Sequence, residues 1–499
     1  MSADRVNIAD RLTETAARLG DRIALCVPRN GSPVDYDRYS FATIEREANR
    51  YAAGLAELGI GAGTRTLLAV KPGFDLIVLT FALFKTGAAP VLIDPGMGKR
   101  NLLDCVARSK PEAMVGIPKA FVARLLYPTT FATVKRTVTV GRRWLWGGAT
   151  ARELARRPDA TFAPLATKAA DLAAILFTTG STGPPKGVLY THAMFDAQLR
   201  LIRDHYGVSD DDVDYPAFPL FALFSIALGM RVVIPVMDFT RPASVDPQKV
   251  VDAVIGEKVT FTFGSPAIWK KVSCYCADRK IVLPTLRRVL MAGAPVAAEI
   301  HRRLLGGILP DGAVTHTPFG ATESLPVADI TGAQVLAETA DATAKGKGVC
   351  VGLPLPGFTF RIAPVADGPF VSWADAIEQP TGAIGEIMVT GPTVAPGYFD
   401  DEANTRLHNV TDPDGRLWRR MGDVGYLDDR GRLWFCGRKG HRVVMGDRTL
   451  YTIPVEAIFN AHPLAARTAL VGVGEKGAQT PVLVVEPEEG VALDKTTVA

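Results

Sequence analysis

TTGSTGPPKG, residues 178–187, follows the apolar run AAILF and precedes a helix-like segment that begins near His192. Glycines and small hydroxyl side chains let N–H and O–H groups close around phosphate oxygens, and Lys186 adds a positive charge. The stretch contains no Gly-Lys-Ser/Thr and is therefore not a Walker A loop. A surface turn is the alternative, but this composition directly after a buried strand favours a phosphate-binding loop.

Strands and helices alternate around this loop. Residues 40–58 have helical periodicity, and Ser40 is suited to capping the start of that helix. A second helix is predicted at residues 76–84. We predict strands at residues 65–70, 89–93, 113–117, 137–140, 173–177, 260–264 and 288–292. This order of elements predicts an α/β fold with doubly wound parallel sheets.

The sequence changes character after Gly382. Short apolar stretches separated by Gly and Asp turns, such as GEIMVTG (385–391), predict a small antiparallel lobe at about residues 350–439. Residues 364–381 have no clear period and are interpreted as an insertion. Residues 440–499 form a last region that is small for an independent domain.

Composition excludes several classes of partner. The chain has 56 basic and 52 acidic residues and no block of like charge, so no nucleic-acid partner is expected. The longest uncharged run, residues 215–230, is shorter than the ~20 residues of a membrane span. The charged N-terminus is not a signal peptide, and six scattered cysteines are expected as buried thiols in a reducing cytoplasm.

Three further motifs contain residues suited to nucleotide chemistry. In TPFGATE (317–323), Phe319 could stack on a purine, Thr322 could touch a phosphate and Glu323 could hold Mg²⁺. The alternative for this motif is a helix N-terminus capped by Thr322. Asp423 is suited to accept hydrogen bonds from ribose, and Arg438 is a basic candidate. For each of these residues, an ordinary turn position is the alternative.

The order of these motifs resembles the acyl-adenylate-forming superfamily, which contains acyl-CoA synthetases, luciferases and peptide-synthetase adenylation domains. The motifs follow one another as TTGSTGPPKG (178–187), MAGAPV (291–296), TPFGATE (317–323), VGLPLPG (351–357), RMGD (420–423) and GRKG (437–440). The resemblance implies a large N-terminal domain, residues 1–439, a hinge at about Gly440, and a small mobile C-terminal domain, residues 440–499.

The resemblance also implies roles for individual residues, with ATP and Mg²⁺ as cofactors. Lys186, Thr322 and Glu323 would be catalytic, and Glu323 would support the metal. Adenine would lie at Gly293 and Ala294 with Phe319 against the base, and Asp423 would hold the ribose. The predicted ATP- or AMP-binding residues are Thr178, Thr179, Gly180, Ser181, Thr182, Gly183, Lys186, Gly293, Ala294, Pro295, Phe319, Gly320, Ala321, Thr322, Asp423 and Arg438.

Within this superfamily, one segment discriminates between activities. PLFALF (219–224) has Ala222 where acyl-CoA synthetases commonly have histidine. The run from PLFALF to ALGM (219–230), followed by IPVMDFTRPA (234–243), FGSPAIW (263–269) and FGATESLPV (319–327), resembles the β-lactone synthetases of bacterial long-chain olefin biosynthesis. Those enzymes adenylate a 2-alkyl-3-hydroxy acid, whose own hydroxyl then displaces AMP. The predicted acyl pocket, for which core packing is the alternative, consists of Phe218, Phe221, Ala222, Phe224 and Met230.

Three functions stay open at this point: a β-lactone synthetase, a long-chain fatty acyl-CoA or acyl-AMP ligase, and an inert nucleotide or acyl sensor. Family members usually have a C-terminal lysine that contacts the reacting carboxylate. Lys495 lies in no recognisable match to that motif, and a truncated chain is expected to be the reason. The resemblance further implies a long-chain hydroxy acid as the small-molecule partner and contact with other enzymes of the olefin pathway.

Overall fold

The computed structural model describes residues 5–159, 161–178, 184–488 and 490, and of Thr178 only the backbone. The chain divides into two compact units. The first unit comprises residues 1–315, 322–325 and 395–402, and the second comprises residues 316–321, 326–394 and 403–499. The predicted domain boundary at residues 439–440 stays a prediction.

The first unit contains most of the helices. They are α1 Asp10–Leu19, α2 Phe41–Glu57, α3 Phe74–Thr86, α4 Lys99–Ser109, α5 Pro118–Leu126, α6 Ala151–Ala155, α7 His192–Tyr206, α8 Phe221–Leu228, α9 Pro247–Gly256, α10 Pro266–Arg279 and α11 Ala298–Arg303. The strands are β1 Ile23–Pro28, β2 Tyr36–Ser40, β3 Arg65–Ala69, β4 Ala89–Ile93, β5 Ala113–Gly116, β6 Arg136–Thr139, β7 Ala149–Thr150, β8 Leu172–Thr178, β9 Lys186–Thr191, β10 Val213–Pro216, β11 Arg231–Val233, β12 Phe261–Gly264, β13 Arg288–Met291 and β14 Val314–His316.

These strands form two seven-stranded sheets. One has the order β14-β13-β12-β10-β11-β1-β2, and the other has the order β7-β6-β5-β3-β4-β8-β9. In the second sheet every neighbouring pair is parallel except β8 with β9, and in the first sheet β1 pairs antiparallel with β2. The predicted α/β class with parallel, doubly wound sheets is confirmed, and each of the seven predicted strands is present.

Helix α2 shows how the sequence produces these elements. Ser40 caps the helix, and its Oγ accepts a hydrogen bond from the backbone N–H of Thr43 at 3.1 Å. Ile44, Tyr51 and Leu55 recur at helical spacing and are buried against the core of the unit. The predicted helix and its cap are both confirmed.

The second unit is rich in strands. Its helices are α12 Gly332–Gln334, α13 Ala340–Ala344, α14 Glu402–His408 and α15 Thr452–Asn460. The strands that follow in the chain are β15 Phe319–Ala321, β16 Ser324–Asp329, β17 Val349–Pro354, β18 Thr359–Ala363, β19 Gly385–Thr390, β20 Asn409–Thr411, β21 Leu417–Leu427, β22 Leu433–Arg438, β23 Val443–Met445, β24 Arg448–Leu450, β25 Ala465–Val473 and β26 Thr480–Pro487.

The main sheet of this unit has the order β15-β16-β17-β22-β21-β19-β18, with β20 beside β21. The neighbouring pairs from β16 to β18 are antiparallel, which confirms the predicted antiparallel lobe. The stretch at residues 364–381 is not simply peripheral, because its Phe370 and Ala376 are buried in a small core with Trp418.

A buried ionic network crosses this sheet. Glu386 on β19 and Arg420 on β21 have no exposed side-chain surface, and their Oε2 and Nη2 atoms are 2.6 Å apart. The other carboxylate oxygen of Glu386 is 2.8 Å from Nζ of Lys439. Buried Arg420 and Lys439, whose side chain is 11% exposed, therefore share one buried anion, so Glu386 compensates charge that would otherwise be unpaired.

Two further predictions concern membrane-spanning helices and the state of the cysteines. Within the described part of the chain, no helix combines the length and apolar character needed to cross a bilayer. The six cysteines are all free thiols, and five of them are buried as predicted, whereas Cys274 is half-buried.

Candidate functional site

The predicted phosphate loop is flanked by two paired strands of the first unit. Residues 179–183 lie outside the described residues, but Thr178 ends β8, Lys186 begins β9, and the two residues are cross-strand partners. Helix α7 starts at His192, as predicted, with the Oγ1 of Thr191 accepting from the backbone of Met194. Strand β9, which separates loop and helix, was not predicted.

A second chain segment runs beside β9. The N–H of Leu189 donates to the carbonyl of Gly397 at 3.1 Å, and the N–H of Phe399 donates to the carbonyl of Gly187 at 2.8 Å. The N–H of Ala395 in the same segment donates to the carbonyl of Glu323 at 2.8 Å. These backbone bonds bring the end of the phosphate loop and the TPFGATE motif to one tyrosine, Tyr398.

Tyr398 connects two of the predicted catalytic side chains. Its hydroxyl donates to Oε1 of Glu323 at 2.6 Å, and its ring lies 5.3 Å from the Nζ of Lys186. Tyr398 is buried, whereas Lys186 and Glu323 are half-buried. A carboxylate fixed by a short hydrogen bond, with a lysine nearby, is a suitable arrangement for a metal ion and for phosphate charge.

Thr322 is held through its backbone. The hydroxyl of Tyr190 on β9 donates to the Thr322 carbonyl. Burial raises the pKa of Tyr190 above its usual value, so the hydroxyl keeps its proton for this bond. Thr322 and Glu323 form a turn between β15 and β16, so the alternative of a helix N-terminus capped by Thr322 is wrong.

The predicted adenine-binding residues follow a parallel strand of the first unit. Gly293, Ala294 and Pro295 come directly after β13 and are exposed. Gly293 has a φ of +93°, a backbone conformation that favours glycine. Small residues at the carboxyl end of a parallel strand lie at the edge where open α/β sheets bind ligands.

The second unit contains the remaining predicted nucleotide residues. Asp423 and Arg438 are cross-strand partners on β21 and β22, and their Oδ1 and Nη1 atoms are 2.9 Å apart. The Phe319 ring, on β15, lies 5.8 Å from the ring of Phe435. Gly320 is exposed and Ala321 is half-buried. The structure thus brings Asp423 and Arg438 together, which their separate motifs did not predict.

The predicted acyl pocket lies on and around α8. Phe218, Phe221 and Phe224 form a row with ring centroids 5.7 and 5.8 Å apart, and Phe221 stacks on Phe263 at 4.0 Å. Phe218 is exposed, whereas Phe221 and Phe224 are half-buried. Ala222 and Met230 are fully buried in core clusters. The assignment of all five residues to an acyl pocket stays a prediction.

An unpredicted carboxyl group lies under this helix. Asp214 on β10 is buried, and its Oδ2 accepts a hydrogen bond from the Oγ of Ser225 on α8 at 2.6 Å. Burial raises the pKa of Asp214 from 3.8 to about 7. Because Ser225 belongs to the same helix as Phe221 and Phe224, this carboxyl group helps to fix the position of the aromatic row.

Replacing Asp214 by Asn is expected to change how stability depends on pH. Between pH 4 and 7 the native carboxyl keeps a proton that the unfolded chain releases, so wild-type stability falls as pH rises through this window. Asparagine can still accept from Ser225 and does not titrate. In thermal unfolding, the melting temperature of the variant relative to that of wild type should therefore be higher at pH 7.5 than at pH 5.

The matched control is Asp204→Asn. A hydrogen bond from Arg203 lowers the pKa of exposed Asp204. Replacing Asp204 should therefore not raise stability relative to wild type as pH rises. If Asp214→Asn and wild type kept the same difference in melting temperature at both values of pH, the proposed protonation of Asp214 would be wrong.

Two of the site residues that motif reasoning missed are tyrosines. Tyr190 contacts a residue 132 positions away, and Tyr398 contacts one 75 positions away. Only the pairing of β9 with residues 397–399 shows these contacts. A weak local signal was present for Tyr398, since it follows Pro396-Gly397, a turn dipeptide before an aromatic residue.

Comparison with known proteins identifies the fold and the family of this chain. The fold is similar to that of ATP-bound MatB from Rhodopseudomonas palustris, with a TM-score of 0.79 and 21% identity over 99% of this chain and 91% of that one. The AMP-binding enzyme family matches residues 12–399. The chain therefore belongs to the AMP-binding enzyme family, and the predicted membership of the adenylate-forming superfamily is confirmed.

Two curated relatives share more of their sequence with this chain. The chain is 45% identical over 495 residues to an olefin β-lactone synthetase of Xanthomonas campestris, covering 97% of this chain and 88% of the relative. It is also 45% identical to an olefin β-lactone synthetase of Stenotrophomonas maltophilia, covering 96% and 88%. The predicted resemblance to β-lactone synthetases is confirmed.

Proposed function

We propose that this enzyme uses ATP and Mg²⁺ to adenylate a long-chain 2-alkyl-3-hydroxy acid and then closes it to a β-lactone. The observation that carries the proposal is the Tyr398 contact with both Glu323 and Lys186. It gives a reaction on phosphate a fixed carboxylate and a neighbouring cation. The similarity to olefin β-lactone synthetases supports the choice of acid.

The residues of the first unit fit a magnesium ion that is shared with a nucleotide. Mg²⁺ in such sites is bound by one or two carboxylates and by substrate phosphates, and Glu323 is a half-buried carboxylate with one oxygen already hydrogen-bonded. When bound, Mg²⁺ would neutralise charge that develops on the phosphate oxygens. Lys186 would contribute a second positive charge, and Tyr398 would keep Glu323 in one orientation.

In the first step, the substrate carboxylate oxygen forms a bond to the α-phosphorus of ATP, and the bond to pyrophosphate breaks. We assign phosphate contacts to residues 178–183, Lys186 and Thr322. Adenine contacts are assigned to Gly293, Ala294, Pro295, Phe319, Gly320 and Ala321. Ribose is assigned to Asp423, and a further nucleotide contact to Arg438. The ion pair between Asp423 and Arg438 supports an ionised Asp423, able to accept two ribose hydrogen bonds.

In the second step, the 3-hydroxyl oxygen forms a bond to the acyl carbon. The bond between that carbon and the AMP oxygen breaks, AMP leaves with the electron pair, and the hydroxyl proton passes to solvent. Because nucleophile and adenylate belong to one molecule, no CoA or carrier is required. The row of Phe218, Phe221 and Phe224 would hold alkyl chains and keep water from the adenylate.

The test is to incubate the protein with ATP, Mg²⁺ and a 2-alkyl-3-hydroxy acid in the absence of CoA, and to follow products by NMR. We expect a β-lactone and AMP. The matched control is the 2-alkyl acid without the 3-hydroxyl, which should form adenylate but no lactone. AMP release only after addition of CoA would indicate the acyl-CoA ligase, and nucleotide binding without pyrophosphate release would indicate an inert sensor.

The proposed substrate also defines its neighbours in a reaction sequence. A 2-alkyl-3-hydroxy acid has to come from condensation of two acyl chains followed by reduction of the resulting ketone. We propose that this protein contacts enzymes of these two classes. We also propose that residues 440–499 are a mobile region that moves about a hinge at about Gly440.

A further inference from the structure

An exposed apolar patch lies on α5 and on the β6–β7 loop of the first unit. Two consecutive residues of the β6–β7 loop contribute most to it, with Trp144 60% and Leu145 97% exposed. On α5, Val122, Leu125 and Leu126 are exposed at i, i+3 and i+4 spacing and therefore share one face of the helix. Several large apolar side chains exposed on neighbouring elements are typical of a site of interaction with a protein or a membrane.

Loop and helix are packed into one surface. The buried ring of Trp146 stacks on buried Phe121 of α5 with centroids 5.1 Å apart, and the indole N–H of Trp146 donates to Oγ1 of Thr139 at 2.9 Å. The ring of Trp144 lies 5.8 Å from that of Trp146. The exposed Trp144 and Leu145 are therefore carried by an anchored loop beside α5.

The two chain segments that form the patch carry only basic charges. Residues 117–128 and 141–149 contain Lys119, Arg124, Arg142 and Arg143, and no acidic residue. Arg143 contacts Glu153 at 3.5 Å and the carbonyl of Gly148, and Arg124 donates to the carbonyl of Val134. Within the described part of the chain, Lys119 and Arg142 form no ion pair.

The patch also has a defined place in the fold. Helix α5 and the loop begin at the carboxyl ends of β5 and β6, the edge at which β8 ends with Thr178. The strand order places β6 four strands from β8, which corresponds to about 19 Å. The patch therefore begins on the same edge of the sheet as the predicted phosphate loop.

We propose that Trp144, Leu145 and the exposed face of α5 form an interfacial binding site for an anionic lipid bilayer. Tryptophan and leucine between basic residues match the boundary between headgroups and acyl chains, where indole rings and arginine side chains are both favoured. Lys119 and Arg142, which form no ion pair among the described residues, match anionic headgroups. The proposal does not depend on the β-lactone chemistry, because binding to lipid requires neither ATP nor turnover.

The experiment is sedimentation of the whole protein with phosphatidylcholine vesicles that contain about 30% phosphatidylglycerol or none, a contrast chosen because anionic headgroups attract basic residues. We expect the anionic vesicles to bind at least about 10-fold more tightly, and salt to weaken this binding. Trp144→Ser/Leu145→Ser should lower binding about 10-fold or more, since two apolar contacts are lost. Arg142→Gln/Arg143→Gln should lower it only on the anionic vesicles.

Control variants distinguish a lipid site from a protein interface. Val371→Ser, on the second unit, changes another highly exposed apolar residue and should leave vesicle binding unchanged. All variants should unfold at the wild-type temperature, because the replaced side chains are exposed. Equal binding by wild type and the Trp144/Leu145 variant would overturn the proposal. The proposal would also be overturned if wild type did not bind vesicles and the Trp144/Leu145 variant had a lower molecular mass than wild type in solution. The patch would then be a protein interface.

Discussion

Replacing Glu323 by Gln is expected to lower the rate of pyrophosphate release about 100- to 1000-fold, the effect typical of removing one fixed charge from a site where phosphate charge develops. Glutamine has the shape of glutamate and can still accept the hydrogen bond from Tyr398 at its Oε1. The fold should therefore be retained, and the loss should lie in binding of the metal and in the chemical step. Single-turnover measurement of pyrophosphate release over a series of Mg²⁺ concentrations checks this.

Tyr398→Phe is the companion variant. It removes the hydroxyl that orients Glu323 but keeps the ring beside Lys186. Loss of one hydrogen bond to a charged group should raise the Mg²⁺ concentration for half-maximal rate about 10-fold. If Glu323→Gln released pyrophosphate at more than about a tenth of the wild-type rate, the loss of rate would be smaller than is typical for removing a fixed charge from such a site. Glu323 would then not be the metal ligand.

Much of the fold could be predicted because its signals are local. The helix at residues 40–58 combines helical period and a capping residue within one stretch of chain, and the strand at residues 89–93 is an apolar run that ends at Asp94-Pro95-Gly96. Strand β9 was missed because its first two residues, Lys186 and Gly187, are also the last two residues of the loop motif. The order of strands in each sheet depends on contacts between distant segments, which no window of sequence contains.

The candidate site was predictable as a set of residue types and not as an arrangement. Motif order selected Lys186, Glu323, Asp423 and Arg438, since their chemistry is visible in the sequence. The link between Lys186 and Glu323 was not visible, because Tyr398 reaches both only through pairing of its segment with β9. Asp214 lacked a local signal, since the raised pKa of this carboxyl group results from burial under α8.

Replacing Glu386 by Gln is expected to destabilise the second unit by about 3–5 kcal/mol, the cost of removing one partner from a buried ion pair. Glu386 compensates both Arg420 and Lys439, and Arg420 has no exposed surface. A neutral side chain can accept hydrogen bonds from these cations but leaves their charge uncompensated. The pKa of Lys439 is already lowered by burial, so Lys439 should lose its proton more readily in the variant.

Hydrogen exchange of peptides that cover β19 and β21 measures this loss directly, because amide protection there depends on local opening of the second unit. Asp367→Asn is the matched control, since Asp367 also contacts two cations, Arg442 at 2.9 Å and Lys476 at 2.7 Å, but is exposed. An exposed pair contributes about 0–1 kcal/mol, so the control should change protection little. Equal effects of the two variants would mean that burial does not set the cost of losing Glu386, and the role of Glu386 in compensating Arg420 and Lys439 would have to be abandoned.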